Sequence, residues 1–423
     1  MGVTATAIEA PAPVRSRGRR LHDPVVWVAA LFLVTFLLQR IAVPGLPVSI
    51  TVPMAVGWLV VVAVLGIVEL NRVRLLVWLA AAGLSGLLVS AQMVALLNPY
   101  VSINSWGLWL VTWLPLVVQM KQRDRDTYLR FARAIAGIGV GLAILSLVFI
   151  GSQIAGLRYR DWLGDVVPAN LLVQEYPISY PIVYGSPLYK SNGWIALEPS
   201  FLSFYLGVAL ICALLARVRV VTVVIITAGL FSTVAGSGLA LVAVFLVALA
   251  VQGRLGGLRR YLIPGAVVFA IFASTVLGDA VLGRIGEAGQ ENSSTSLRSI
   301  EPYAYLWPHW WADPVGVFIG YGPGSSANIV NGLGIEGLLV PSIAKLLFDY
   351  GLLAGALLIA LMVSTYLHGP SSAFALSLAV SMFTIQAAAG PLVLCSFVAI
   401  SLWAPSIGRD PRHGNPPASR TDR

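Results

Sequence analysis

Along most of the chain, apolar residues come in long runs with few polar interruptions. Twelve runs stand out, at about 25–41, 54–70, 75–97, 105–120, 132–153, 196–216, 218–235, 237–252, 261–278, 344–366, 371–388 and 389–405. Many approach the length needed to cross a lipid bilayer. Inside hydrocarbon each segment must satisfy its own backbone hydrogen bonds, so the runs are expected as helices rather than strands. Runs 218–235 and 237–252 are short and joined by "AGSG", which predicts a tight hairpin. The last two runs part near Gly390-Pro391. The expected fold is therefore all-α: a polytopic membrane bundle of about 12 transmembrane helices.

Composition agrees. Hydrophobic residues make up 58% of the 423 and charged residues only 11%, against roughly 25% charged in soluble domains. The basic residues give the orientation. With the N-terminus inside, segments on the cytoplasmic side hold 20 of the 27 Lys and Arg, among them Arg72, Arg74, Arg123, Arg217 and Arg260. That bias is the topology signal of membrane proteins. It accounts for most of the net charge of +9 without nucleic acid as a partner, and it offers anionic membrane lipids to the inner face. Residues 1–24 are expected as a basic, disordered cytoplasmic tail, 25–405 as the transmembrane domain and 406–423 as a second cytoplasmic tail. Residues 1–24 show no cleavable signal peptide.

Two outer segments, about 154–195 and 279–343, are too long to be plain connectors. They hold many aromatic residues, including Trp162, Tyr176, Tyr184, Trp194, Trp307, Trp310 and Trp311. Both are predicted as ordered extracytoplasmic loops with short amphipathic helices at the membrane surface.

Chemistry concentrates on that same face. No span carries a central charge apart from Lys345 and Asp349, near the outer start of one helix. Transporters and pumps usually need buried ionisable groups along a path. Outside stand Arg158 and Arg160 in "GLRYRDW", Arg284, and Arg298 in "STSLRSIEPYAYLWPHWW". A guanidinium grips phosphate oxygens with a two-pronged fork, so grouped arginines suit a pyrophosphate; the plainer role is to anchor a loop to lipid headgroups. "GYGPGSS" at 320–326 contains Tyr321 and three glycines, and predicts either a sharp turn or a close backbone approach to a ligand. His309, the only outer histidine, cannot build a zinc site alone. Its plainer role is as an interfacial neighbour of Trp310 and Trp311. Cys212 and Cys395 lie inside apolar runs. No metal and no cofactor are expected.

Glu198 in "NGWIALEPSFLSFYLGVAL" is the odd residue. Pro199 suits a first helical turn, so a helix starts here, with Trp194 as an interface anchor. Glu198 then either complements the positive helix end or serves as a general base or hydrogen-bond acceptor for a sugar hydroxyl.

These residues carry a resemblance. "NGWIALEPSFLSFYLGVAL" resembles the start of the central helix in the O-antigen polymerase and O-antigen ligase superfamily. "SLRSIEPYAYLWPHWWADPVGVFIGYGPGSS" resembles its second outer-loop pattern, and "LVPSIAKLLFDYGLLAGALLIALM" its following helix. The similarity covers about 130–370. Gly236 stands where that family often has an arginine. The histidine that the ligase branch often has ahead of its last core helix is missing here, with Lys345 the nearest cation. A polymerase or related exopolysaccharide transferase therefore fits better than a ligase. The resemblance implies a metal-independent, inverting glycosyltransferase at the outer face of the plasma membrane, with both termini cytoplasmic. Its donor would be a polyprenyl-pyrophosphate-linked oligosaccharide. Glu198 and Arg298 would be catalytic; Arg158, Arg160, Arg284, Lys345, His309 and Tyr321 would bind substrate. A chain-length regulator would be a further partner. The alternatives are a ligase-type transfer to a final acceptor, a polysaccharide or lipid transporter or flippase, and a membrane scaffold.

Overall fold

A computed structural model describes residues 22–46, 48–94, 98–174, 176, 178–182, 186–275, 277–278, 296–335, 337–367, 371–386 and 389–400. Arg284, Tyr184, most of the tail 1–24 and all of 406–423 lie outside the described residues.

The described chain is mostly helical. Four helices are long and apolar enough to cross a membrane: Arg72–Val94, Arg125–Ile154, Leu255–Ala273 and Ser342–Tyr366. Shorter apolar helices cover Pro24–Leu37, Thr51–Val64, Ile103–Val117, Pro199–Leu215, Val220–Ser232, Gly236–Val251, Ser372–Ser381 and Gly390–Ala399. Each apolar run of the sequence thus contains a helix. The short ones fall below the bilayer requirement, since even 17 residues rise only about 26 Å. Two of the long helices turn apolar side chains outward, with Leu76, Leu87, Ile263 and Ile271 exposed.

The helices end early where the chain finds other partners. The first stops at Leu37, because residues 40–42 pair with the segment after Ile154: Ala42 N donates to Leu171 O and Val173 N to Arg40 O. The second and fourth apolar runs end in a two-stranded antiparallel ladder, Val68–Leu70 against Val118–Met120. This ladder departs from the all-α expectation. Arg74 stabilises it by donating to Leu116 O and Val118 O, and so lies buried instead of in an open inner loop. In contrast, Arg125–Ile154 starts earlier than its apolar run. Asp124 caps it, accepting from Thr127 N (2.8 Å) and Thr127 Oγ1 (2.7 Å), a polar start that apolar counting passes over.

Pro199–Leu215 is the centre of the bundle. It is apolar almost all round, and only Ser200 and Leu215 escape burial. Such a helix must be enclosed by others. It packs against Arg125–Ile154, Val220–Ser232, Gly236–Val251 and Gly390–Ile400. Small residues permit the closest crossing. A Cβ on Gly238 would lie 1.9 Å from Ser203 O, and one on Gly207 would lie 2.9 Å from Gly238 Cα. Ser203 Oγ donates to Ala235 O and accepts from Gly238 N, both at 3.0 Å. Ser237 Oγ donates to Ser200 O (2.5 Å). The "AGSG" hairpin is thus bonded to the first turns of the central helix.

Residues 297–348 have a core of their own. Leu297, Leu306, Trp310, Val317, Val330, Leu338, Val340, Ala344 and Phe348 form a cluster separate from the main one. It gathers the helix Glu301–Ala312, the helix Ser325–Gly332 and the start of Ser342–Tyr350.

The two hairpin glycines should behave differently. Gly238→Ala is expected to cost about 1–3 kcal/mol through overpacking against rigid backbone, read as a lower thermal midpoint in detergent. Gly236→Ala, whose added Cβ meets nothing within 4 Å, is expected to leave the midpoint unchanged.

Candidate functional site

Glu198 is set in place from two directions. Behind it, Asn192 Oδ1 accepts from Trp194 N (2.9 Å), and Gly193 and Trp194 both take left-handed backbone, φ +59° and +60°. That geometry is strained for tryptophan. It is held by Arg40 Nη1, which donates to Trp194 O (3.2 Å), and by edge-on packing of the indole against Phe149. Trp194 is thus drawn into the loop's packing rather than serving as an outward interface anchor. Next along, Gln39 Oε1 accepts from Leu197 N (3.1 Å). The end of the first helix therefore holds the residues on which Glu198 depends.

Glu198 occupies the N-cap backbone position before Pro199, yet its side chain makes no capping bond. Its Oε2 instead accepts from Ser200 Oγ (2.8 Å) and from Arg298 Nη2 (3.1 Å). The carboxylate is 3% exposed and the Arg298 side chain 25%. Two groups a hundred residues apart in sequence thus meet at the mouth of the central helix. Among the described residues Glu198 Oε1 takes no donor, and Arg298 Nη1 makes only a 3.5 Å approach to Ser200 Oγ, too long to bind strongly. Among the described residues each partner keeps one edge free.

Arg298 lies in a single turn, Ser296–Ser299. Leu297 plugs into the second cluster, and Leu297 O accepts from Leu339 N (3.3 Å). On the other side, Leu197 and Phe201 belong to the main core. The ion pair therefore bridges the seam between the two hydrophobic cores.

The other sequence-predicted residues engage elsewhere. Arg160 pairs with Asp165 (2.5 Å) and lies over the Trp162 ring. Arg158 is exposed without a partner among the described residues. Lys345 Nζ donates to Asp349 Oδ2 (2.6 Å). That carboxylate also accepts from Gly324 N (3.1 Å) and Ser326 N (2.8 Å). The amides of the "GYGPGSS" turn are thus spent on an internal carboxylate: a sharp turn clamped to the next helix. Gly320 needs its glycine, since a Cβ there would lie 2.4 Å from Asp349 O. Tyr321 stacks on Phe348 and donates its hydroxyl to His309 O (2.9 Å). Burial, with Asp313 beside it, raises the phenol above its ordinary value, so it remains a donor. The His309 side chain is exposed on Glu301–Ala312.

Arg40 and Asp161 were not singled out from the sequence. Arg40 is fully buried and grips Asp161 with both prongs, at 2.7 and 2.6 Å. The signal was a Gln39-Arg40 pair closing an apolar run and an aspartate inside "RYRDW". Ser200 was legible within "EPS". Among the described residues no three His, Cys, Asp or Glu side chains gather as a metal would require. In comparisons with known proteins the chain matches no family model, no curated protein and no solved structure.

The clamp has a pH signature. Burial alone would raise the Asp161 carboxyl, but the Arg40 hydrogen bonds and charge outweigh it and hold the group below its ordinary value. Its stabilisation is then complete above that ordinary value, about pH 4, and is lost as pH falls through the lowered folded value. Thermal midpoints of the wild type are expected to drop below about pH 4, and those of Asp161→Asn to start lower and lose that part of the acid dependence. Arg298→Ala, which strands a buried carboxylate, is expected to cost about 2–3 kcal/mol, less than a fully buried pair because the arginine is partly exposed. Thermal unfolding in detergent measures it.

Proposed function

We propose that this chain is an integral membrane glycosyltransferase of the polysaccharide polymerase type. It extends a polyprenyl-pyrophosphate-linked glycan at the outer face of the plasma membrane, with about twelve membrane segments and both termini cytoplasmic. The single observation that supports this most is the Glu198–Arg298 pair, at the mouth of a buried central helix and within hydrogen-bonding reach. A carboxylate with one open oxygen beside a half-engaged guanidinium suits transfer from a pyrophosphate donor. The outward apolar side chains of the long helices favour a lipid setting, since soluble monomers rarely expose large apolar surfaces.

In this reading the acceptor hydroxyl binds Glu198 Oε1. Its oxygen attacks the anomeric carbon while the bond from that carbon to the pyrophosphate oxygen breaks. The hydroxyl proton passes to Oε1, and the polyprenyl pyrophosphate leaves with the bonding electrons. One in-line displacement inverts the anomeric centre. Protonation of Glu198 cancels its claim on Arg298, so the guanidinium charge becomes available as negative charge grows on the leaving group. Fixed charge aimed at a developing anion is the most effective form of electrostatic catalysis. The positive end of the central helix adds to the same field. Ser200 keeps the carboxylate oriented.

The lipid-linked glycan profile of a strain lacking the gene, complemented with variants, tests this. Glu198→Gln and Arg298→Lys, which preserve size or charge, are expected to accumulate single repeat units, because lysine lacks the fork that matches a pyrophosphate. Full-length lipid-linked chains that never reach a final acceptor would point to ligation instead. Normal glycan from both variants would overturn the assignment.

A further inference from the structure

A cavity of about 540 Å³ opens between the helix Ile103–Trp113 and the helix Ser325–Gly332. One face of the helix Ile103–Trp113 lines it, through Ser105, Leu108, Trp109 and Thr112. These positions follow one another at helical spacing and cover about 10 Å of its length. Ala327, Val330, Asn331, residues 338–340, Lys345 and Gln386 form the rest of the wall.

Two chains of contacts link the cavity wall to residues flanking the pair. Leu339, in its wall, donates to Leu297 O, one residue before Arg298. Gln386 Oε1 accepts from the Tyr176 hydroxyl (2.8 Å), and the Tyr176 ring packs edge-on at 5.6 Å from Phe201, three residues after Glu198.

Its chemistry differs from that of the pair. Among the described residues Lys345 is the only charged one in the lining, and Asp349 matches it at 2.6 Å. The cavity therefore has no spare charge for a pyrophosphate. Its unspent groups are uncharged: Ser105 Oγ, the Asn331 amide and Gln386 Nε2 have no partner among the described residues. They face a wall otherwise made of Trp109, leucine, valine and alanine. Free hydroxyls and amides set among apolar carbon fit the hydroxyls and C–H faces of a pyranose, and the volume lies in the range of small-ligand sites. An isoprenoid tail would leave those polar groups without partners, at a cost.

We infer that this cavity holds an uncharged sugar unit of the glycan, next to the unit that reacts at Glu198. The inference rests on the polymerase reading and adds a subsite to it. Three changes test it in the complemented strain: the pair Ser105→Ala with Asn331→Ala, the single Gln386→Leu, and Asn331→Trp, which fills the space from an exposed wall position. Protein level and thermal midpoint are measured for each. At wild-type level and midpoint, the polar deletions are expected to lower polymer about fivefold per lost hydrogen bond, and the tryptophan to shorten chains further, with Glu198 and Arg298 intact. Normal chains from all three would overturn the subsite while leaving the Arg298→Lys result to judge the polymerase reading. Loss with Asn331→Trp alone, the polar deletions being silent, would place an apolar chain in the cavity and overturn the sugar assignment. If the Asn331→Trp protein fails to accumulate, the polar deletions decide the matter alone.

Discussion

The ion pair between Glu198 and Arg298 is the constraint around which this molecule is organised. A carboxylate 3% exposed needs a cation, because burying an unpaired charge costs several kcal/mol. The cation comes from a single helical turn whose neighbouring leucine is seated in a different hydrophobic core. The pair thus ties the second hydrophobic cluster to the bundle. Among the described residues it also leaves a carboxylate oxygen and a guanidinium edge unengaged. The contact that orders the seam is the one with chemical capacity.

Everything near that contact serves to keep it still. Gly238 and Gly207 bring two helices close enough for serine hydroxyls to bond across them. Arg40 and Gln39 reach from the first helix to the turn before Glu198, and Asp161 fixes Arg40 in turn. Asp349 gathers the glycine turn and Lys345 into one neutral unit. Each device ends in a satisfied polar group, which is what a low-dielectric setting demands. Electrical neutrality at Lys345, and an open acceptor on Glu198 beside open donors on Arg298 among the described residues, make two chemically different places.

Much of this was legible from the chain alone, for identifiable reasons. Apolar runs mark helices because burial and backbone satisfaction both act along a continuous segment, so every run contains one. Helix ends were harder. Leu37 and Val117 stop short because residues 40–42 and 118–120 pair with distant backbone, information that no local window holds. Glu198 and Arg298 were readable as outliers in apolar and aromatic surroundings, and their meeting follows from the fold. The fate of the other cations was not readable. Arg160 and Lys345 find carboxylates four or five residues away, and a local partner removes a charge from the candidate site. Arg40 was hidden because its partner lies 121 residues on.

The central claim is that Glu198 and Arg298 act as one unit on the reacting bond. A double-mutant cycle on the polymerisation rate tests it most directly, using purified full-length protein in lipid discs and lipid-linked glycan extracted from the Arg298→Lys strain. Residues that act together lose nearly everything when either is changed. Glu198→Gln with Arg298→Lys should therefore be no slower than the slower single variant. If the two losses instead multiply, the residues act independently, and the coupled transfer described here is contradicted.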